Sequence, residues 1–357
     1  MGAICPSQPG HTMITRLRLG VVLRCAFAGI LGIAATALPG MRPAHADAKE
    51  VRFVRQLGLG YLQFYIMEDL RLVEKRAKAM GLGEVTTSYR PLGNATAMMD
   101  AILSGNADAA GVGLPPFLTM WDKTLSTIRV KAVVALNRQP AYLLTRNPTI
   151  KSIRDFTEKD RIALPALKAS VQAIALEMMA EKTFGPGKHE ALNHLVVGMS
   201  HPDGTVAMLG GKSEVTSHFT SPPFQNQQLQ NPEIRKVLSS YEATDGPHTF
   251  SVVAMPSRWR EQNPQTYQAV FAALQEANEF ITKRPREAAE IFIKIENVKL
   301  TVEFVENLIK DPDFSYEPAP QNVTTILSFM NRIGRLKNNP ASWKDLFFSE
   351  IHDLSGS

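Results

Sequence analysis

Two stretches of this chain carry residue types that line ligand sites, in the same order and at nearly the same spacing. The first is Leu103-Ser104-Gly105-Asn106-Ala107-Asp108, then small residues, then Pro115-Pro116-Phe117. The second is Leu209-Gly210-Gly211-Lys212-Ser213-Glu214, then β-prone residues, then Pro222-Pro223-Phe224. Each reads as a helix end, a glycine turn, a short buried strand and a stiff apolar loop. Gly113-Leu114 before the first Pro-Pro pair is bare, whereas Thr220-Ser221 before the second presents two hydroxyls. Loops of this kind desolvate a small molecule and place a few hydrogen bonds on it.

Other positions have the chemistry of anion capture. Asn94 and Thr96 stand at one predicted helix start, and Lys168-Ala169-Ser170 makes another with a cation added. Free N–H groups and the helix dipole favour an anion at such starts, and a carboxylate, sulfonate or phosphate suits the lysine. Gln56, Gly58 and Tyr61 follow the first predicted strand, where glycines admit a close ligand and Tyr61 offers a ring. Arg138 sits where the chain crosses between two halves. Each has a plainer alternative: Tyr61 as a core residue, Asn94 and Ser170 as simple caps, Lys168 as a solvated lysine, Arg138 as hinge surface.

Catalytic and metal chemistry find less support. His189, His194 and His201 span a loop, a strand and a turn with no compact ligand spacing, so no metal is expected. His218, two residues before Thr220, reads as buried in its strand. Ser, His and Asp are present without a G-x-S-x-G elbow, and Gly58-Leu59-Gly60 alone is no dinucleotide fingerprint. Neither a cofactor nor a catalytic residue is assigned.

The N-terminus reads as an export leader. Arg16, Arg18 and Arg24 flank an apolar run, Cys25 to Leu38; Pro39-Gly40 breaks it, and Ala44-His45-Ala46 has the A-x-A form of a cleavage site. The run is short for a membrane span. Removal of residues 1–46 takes away both cysteines, Cys5 and Cys25, so the mature chain has no thiol chemistry. It also removes Arg16, Arg18, Arg24 and Arg42 and no acids. Taking those four from 39 Lys plus Arg leaves 35 against 34 Asp plus Glu, and the net charge falls from +5 to +1. The basic balance therefore gives no reason to expect a nucleic-acid partner.

The elements that must position these residues alternate. Strands are predicted over 51–57, 85–92, 108–113, 130–136, 142–145, 161–164, 194–199, 215–219 and 250–255. Helices are predicted over 66–80, 94–103, 170–181 and 203–209, then over 266–281, 286–295, 302–309 and 323–333. Such alternation argues an α/β fold with mostly parallel sheets and a helical C-terminal region.

Several segments, taken in order, resemble the periplasmic solute-binding proteins of ABC importers, in particular the nitrate/sulfonate/taurine-type family. They are Asp100 to Pro116 (DAILSGNADAAGVGLPP), Val134 to Pro140 (VALNRQP), Ile150 to Phe156 (IKSIRDF), Arg161 to Pro165 (RIALP) and Pro285 to Ala289 (PREAA). The chain departs from the pattern at Phe156 to Asp160, on an expected surface turn.

The resemblance implies a type II two-lobe fold, with residues 47–137 completed by 247–357 as lobe 1 and 138–246 as lobe 2. It implies a monomeric periplasmic protein, its leader removed after Ala46. Such a protein would hold a small organic anion, sulfonate- or carboxylate-like, between the lobes and pass it to the permease and ATPase of an ABC importer. Two other classes stay open. One is an enzyme on the same fold, of the pyrimidine synthase or sulfinate hydrolase type, whose chemistry uses cysteines. The other is an exported sensory binding protein.

Overall fold

The computed structural model describes residues 47–357, so the leader and its cleavage site lie outside the described residues. Ten strands occur in it: β1 (Glu50–Arg55), β2 (Thr86–Pro91), β3 (Ala109–Gly113), β4 (Val130–Arg138), β5 (Tyr142–Thr145), β6 (Ile162–Leu164), β7 (Val196–Gly198), β8 (Ser217–Thr220), β9 (Arg235–Ser239) and β10 (Thr249–Pro256). They form two five-stranded sheets, ordered β2-β1-β3-β10-β4 and β7-β6-β8-β5-β9.

Each sheet has four strands running one way and one against them. β10 is antiparallel to both β3 and β4, and β5 is antiparallel to both β8 and β9. The expected mostly parallel sheets are thus mixed. The reversed strand in each is the first one after the chain crosses over: β4 leads into β5, and β9 leads to β10. A chain that leaves one sheet at the carboxyl ends of its strands, and enters the next sheet at that sheet's carboxyl edge, must run backwards. The carboxyl ends of the forward strands in both sheets therefore meet along one seam, where open α/β sheets hold ligands.

Helices α1 (Leu62–Leu70), α2 (Leu72–Ala79), α3 (Ala95–Leu103) and α4 (Leu114–Thr124) follow the strands of the first sheet; α5 (Val171–Phe184), α6 (His201–Gly210), α7 (Phe224–Gln228) and α8 (Ser240–Ala243) follow those of the second. Beyond β10 come α9 (Ser257–Gln262), α10 (Pro264–Lys283), α11 (Pro285–Glu296), α12 (Val302–Ile309) and α13 (Val323–Arg332). The helix expected over 66–80 is broken. Arg71 adopts a left-handed conformation (φ 51°) and separates α1 from α2. Ile66, Val73 and Ala77 still share a buried face, but Met80 is exposed. β9 was not expected from sequence; it is an edge strand on β5 with only Leu238 and Ser239 buried.

The core is built on alternation and helical periodicity. β3 is Ala-Ala-Gly-Val-Gly and buried throughout, its small side chains leaving room for the rings of Tyr61 and Phe64. In α10, Tyr267, Val270, Ala273, Leu274, Ala277 and Ile281 are buried, and the helix packs on α1 and α2. Burying one such large apolar side chain stabilises the fold by ~1.5–3 kcal/mol. α13 differs, because it touches both α4 and α5, one helix from each sheet's set.

Candidate functional site

The loop after β1 is fixed from several directions before it reaches the seam. Gly58 N–H donates to Glu296 Oε1 at 3.0 Å, the Leu59 carbonyl accepts from Tyr316 Oη at 3.2 Å, and the Gly60 carbonyl accepts from Ser251 Oγ at 3.1 Å. Leu59 N–H then donates across the seam to the Pro222 carbonyl at 3.3 Å. Gly58 has φ 115°, and a Cβ there would stand 3.1 Å from Pro222 O. The loop can therefore lie on the Pro222-Pro223 turn only with glycine at this position.

Beside that contact is a closed cavity of ≈ 20 Å³. Gln56, Tyr61, Ala95 and Gly113 reach it from the first sheet; Ser170, Gln172, His201 and Ser221 reach it from the second. Its volume suffices for about one water, so the seam is shut. Among the described residues, no Lys, Arg, Asp or Glu lines it. Four helices begin at its wall. Ala95 opens α3, Gly113 precedes α4, Ser170 caps α5 and His201 opens α6. Asn94 Oδ1 accepts from Ala97 N at 2.9 Å, and Ser170 Oγ accepts from Ala173 N at 3.1 Å. Each cap satisfies one donor of its first turn; the others remain outside the helix ladder. The wall is therefore electropositive through the backbone rather than through cations, with α4 contributing least because Pro115 and Pro116 carry no N–H.

Two side chains on the second sheet's side, Gln172 and His201, are not among the ligand-lining residues expected from sequence. Gln172 is 2 % exposed, and its Nε2 has no partner among the described residues. An unpaired buried donor costs ~1–3 kcal/mol, which an acceptor in the cavity relieves. His201 is buried, with Nδ1 2.8 Å from Thr220 Oγ1 and its ring stacked on Phe224 at 5.4 Å between centroids. Its ring lies 5.9 Å from that of His218, which bonds Gln228 Nε2 at 3.0 Å. Burial lowers the pKa of His201 to about 4 and that of His218 to about 3, so both are neutral at pH 7. Burial pushes the Tyr61 phenol up, and its hydroxyl donates to Gln56 Oε1 at 3.2 Å.

The same helix starts also border an outer pocket of ≈ 750 Å³. Asn94, Thr96 and Asp100 line it on one side; Leu167, Lys168 and Ser200 line it on the other. Neighbours in the chain divide between the two spaces: Asn94 faces out and Ala95 in, Ala169 out and Ser170 in, Ser200 out and His201 in.

The structure thus sorts the residues expected from sequence. Gln56, Tyr61, Gly113, Ser170 and Ser221 meet at the cavity, while Asn94, Thr96 and Lys168 line the outer pocket. Gly58, Leu114 and Thr220 sit behind the wall, as seam contact, core residue and His201 partner. Arg138 lines neither space; its Nη1 lies 3.4 Å from Gln321 Oε1 and its backbone pairs with Ser315. The signal for Gln172 was available, since it is the second residue of a helix already read as an anion-facing start. His201 was weighed only as one of three possible metal ligands. The structure separates them: His194 bonds exposed Glu158 at 2.9 Å and His189 packs edge-on against Phe329. Among the described residues, no group of three or more His, Cys, Asp or Glu is placed to hold a metal.

Two mixed α/β sheets whose strand ends close on a shared seam define the periplasmic-binding-protein fold. The NMT1-like family model matches residues 52–295, and the chain belongs to that family. Among solved structures, it is similar to the alkanesulfonate-binding protein SsuA from Xanthomonas axonopodis pv. citri bound to MOPS, at 15% identity over 81% of this chain and 92% of that one, with a TM-score of 0.61. It is likewise similar to the aliphatic sulphonate binding protein SsuA from Escherichia coli (15% identity, 81% and 88% covered, TM-score 0.61). The nitrate-binding protein NrtA from Synechocystis PCC 6803 is a third (15% identity, 83% of each chain covered, TM-score 0.62). No curated protein matches the chain.

Proposed function

We propose that this chain is an exported solute-binding protein that closes over a small organic anion, sulfonate- or carboxylate-like, and delivers it to an ABC importer. Residues 47–137 with 247–357 act as one closing body and 138–246 as the other. The observation that carries the reading is the cavity itself. It is shared by both sheets, free of acids and cations, ringed by four helix starts, and holds the unpaired Gln172 Nε2. Such a wall suits oxygen acceptors bearing negative charge. Ser221 Oγ stands 3.5 Å from His201 Nε2, but the other ring nitrogen faces the Thr220 hydroxyl rather than a carboxylate, which favours capture over turnover. A volume of ≈ 20 Å³ admits no organic molecule, so uptake requires the seam to part. Lys168, exposed at the outer pocket, attracts the anion without touching its buried end.

Similar folds are named for sulfonate and for nitrate binding alike; the apolar Leu167 in the outer pocket gives an organic body a surface to cover and favours a sulfonate over bare nitrate. The enzyme alternative is disfavoured because both cysteines of the chain precede residue 47. The test is a thermal-shift and calorimetric comparison of MOPS, short alkanesulfonates, carboxylates and nitrate on ligand-stripped protein. We expect saturable stabilisation by an organic sulfonate or carboxylate. Stabilisation by none of them, or consumption of a sulfinate substrate, would overturn the reading.

A further inference from the structure

α13 and the turn after it lie across the seam. Both ends of this segment are tied to the first sheet's half, and at its start Asn322 Nδ2 also donates to the Thr244 carbonyl of the second at 2.9 Å. At its start, Gln321 N–H donates to Thr249 Oγ1 at 2.8 Å, at the head of β10. Beyond its end, Asp122 Oδ1 on α4 accepts from the backbone N–H of Lys337 at 3.1 Å and of Asn338 at 2.8 Å.

Between those ties, the segment grips the second half. Arg332 forks onto Glu181 of α5, with Nη1 to Oε1 at 2.9 Å. Arg335 Nη2 meets Glu177 Oε1 at 2.6 Å, and its Nη1 donates to the Lys168 carbonyl at 3.1 Å, in the loop that opens α5. Glu177 is wholly buried; apart from Arg335, among the described residues its oxygens find only Asn193 Nδ2, at 2.9 Å. α4 and α5 are also the helices whose starts wall the cavity, so the grip spans the parts that must separate.

We propose that Arg332 and Arg335 form a clasp that favours the closed cleft, and that opening requires both arginine–glutamate pairs to break. Pulling Arg335 away would strand the buried Glu177 carboxylate, which strongly disfavours opening. The exposed Arg332 pair adds a weaker hold. Ligand release would then be slowed by a contact remote from the ligand. The proposal rests on reading the cavity as a cleft that opens.

The test is a distance measurement between spin labels at Leu103→Cys and Val206→Cys, exposed positions on α3 and α6. It uses the full, ligand-stripped chain with Cys5 and Cys25 changed to serine. In Arg332→Gln/Arg335→Gln we expect the longer-distance population to rise about fivefold or more over the parent. Gly113→Leu serves as a wedge, because a Cβ at Gly113 stands 3.0 Å from Val171 Cγ2 across the seam. It should lengthen the distance whether or not a clasp exists. If the wedge opens the protein and the double variant matches the parent, the clasp is wrong and the cleft stands. If neither changes the distance, the cleft reading fails and the clasp falls with it. Should the double variant not fold, adding Glu177→Gln to it removes both pairs without leaving a buried charge; no shift toward the longer distance in that triple variant also overturns the clasp.

Discussion

Gln172 and Lys168 are four residues apart, and the structure places them at different spaces, the cavity and the outer pocket. Replacing Gln172 with Leu removes the unpaired donor from the cavity. Binding of an organic sulfonate should weaken ~10–100-fold, the loss of one hydrogen bond to a charged group. The melting temperature of the ligand-free protein should hold or rise, since no buried donor is left unsatisfied. Calorimetry beside a melting curve reads both, and unchanged affinity removes Gln172 from the site. Lys168→Met should act mainly on the association rate and its salt dependence, with a smaller loss of affinity than Gln172→Leu, because the ammonium is at the exposed outer pocket.

The buried histidines set a pH dependence. His201, His218 and His248 have folded pKa values lowered by burial to about 4, 3 and 4. In the unfolded chain they take up protons near pH 6.5, and in the folded chain only at these lower values. Between pH 6.5 and about 4 the unfolded state binds more protons, so stability falls as pH is lowered, by ~1.4 kcal/mol per pH unit for each histidine that titrates. Denaturant midpoints across this range should fall steeply, and His218→Gln should flatten the slope. The residue scale was partly legible. Side-chain types at strand ends and helix starts marked five of the cavity residues. What hid Gln172 and His201 was that their value lies in burial and in the absence of a partner, neither of which is written in a spacing.

At the scale of elements, the two Pro-Pro-Phe repeats share a strand-to-helix path but differ at the prolines: Pro115-Pro116 lie in the first turn of α4, whereas Pro222-Pro223 form a turn before α7. Asp108, the acid of the first copy, is buried and accepts from Arg52 N, Nε and Nη2 at 2.9, 3.0 and 2.8 Å. Glu214, its counterpart, is exposed. Asp108→Ala should therefore cost ~1–3 kcal/mol of stability, and Glu214→Ala less than about 0.5, a contrast that denaturant titration resolves. The Gly58 contact gives a second prediction. Gly58→Ala places a side chain at φ 115° against the Pro222 carbonyl, so it should destabilise by ~1–3 kcal/mol and weaken ligand binding through loss of the closed form.

Strand and helix order, caps at Asn94 and Ser170, and the amphipathic C-terminal helices were readable because each rests on local periodicity. The break at Arg71 was not, because one left-handed residue interrupts the helix without disturbing its apolar spacing. β9 was missed for a related reason: an edge strand buries few residues, so its sequence has little alternation.

For the whole molecule, the α/β alternation and family-like segments implied two sheets and a cleft, but not which strand reverses in each sheet. That follows from where the chain crosses, and crossings depend on pairings between residues far apart in sequence. The same limit hid α13, whose sequence reads as one more amphipathic helix and whose position across two halves rests on long-range packing as well as ion pairs. A global prediction follows from closure. Saturating ligand at about 100 times its dissociation constant should stabilise the protein by ~2.7 kcal/mol. It should also shift small-angle scattering toward a smaller radius of gyration; a radius that does not change with ligand would argue against hinge motion.

The pairing of β4 with β10 has a further consequence. Arg138 and Thr249 are opposite each other in that pairing, and everything in the second sheet lies between them in sequence. The second half is therefore an insert whose two ends leave and return at neighbouring positions of a finished sheet. Evolution, or a protein engineer, can exchange that insert as a cassette at these two residues. A chimaera joined there would keep the first sheet's strand order and receive half of a new cavity wall in one genetic step.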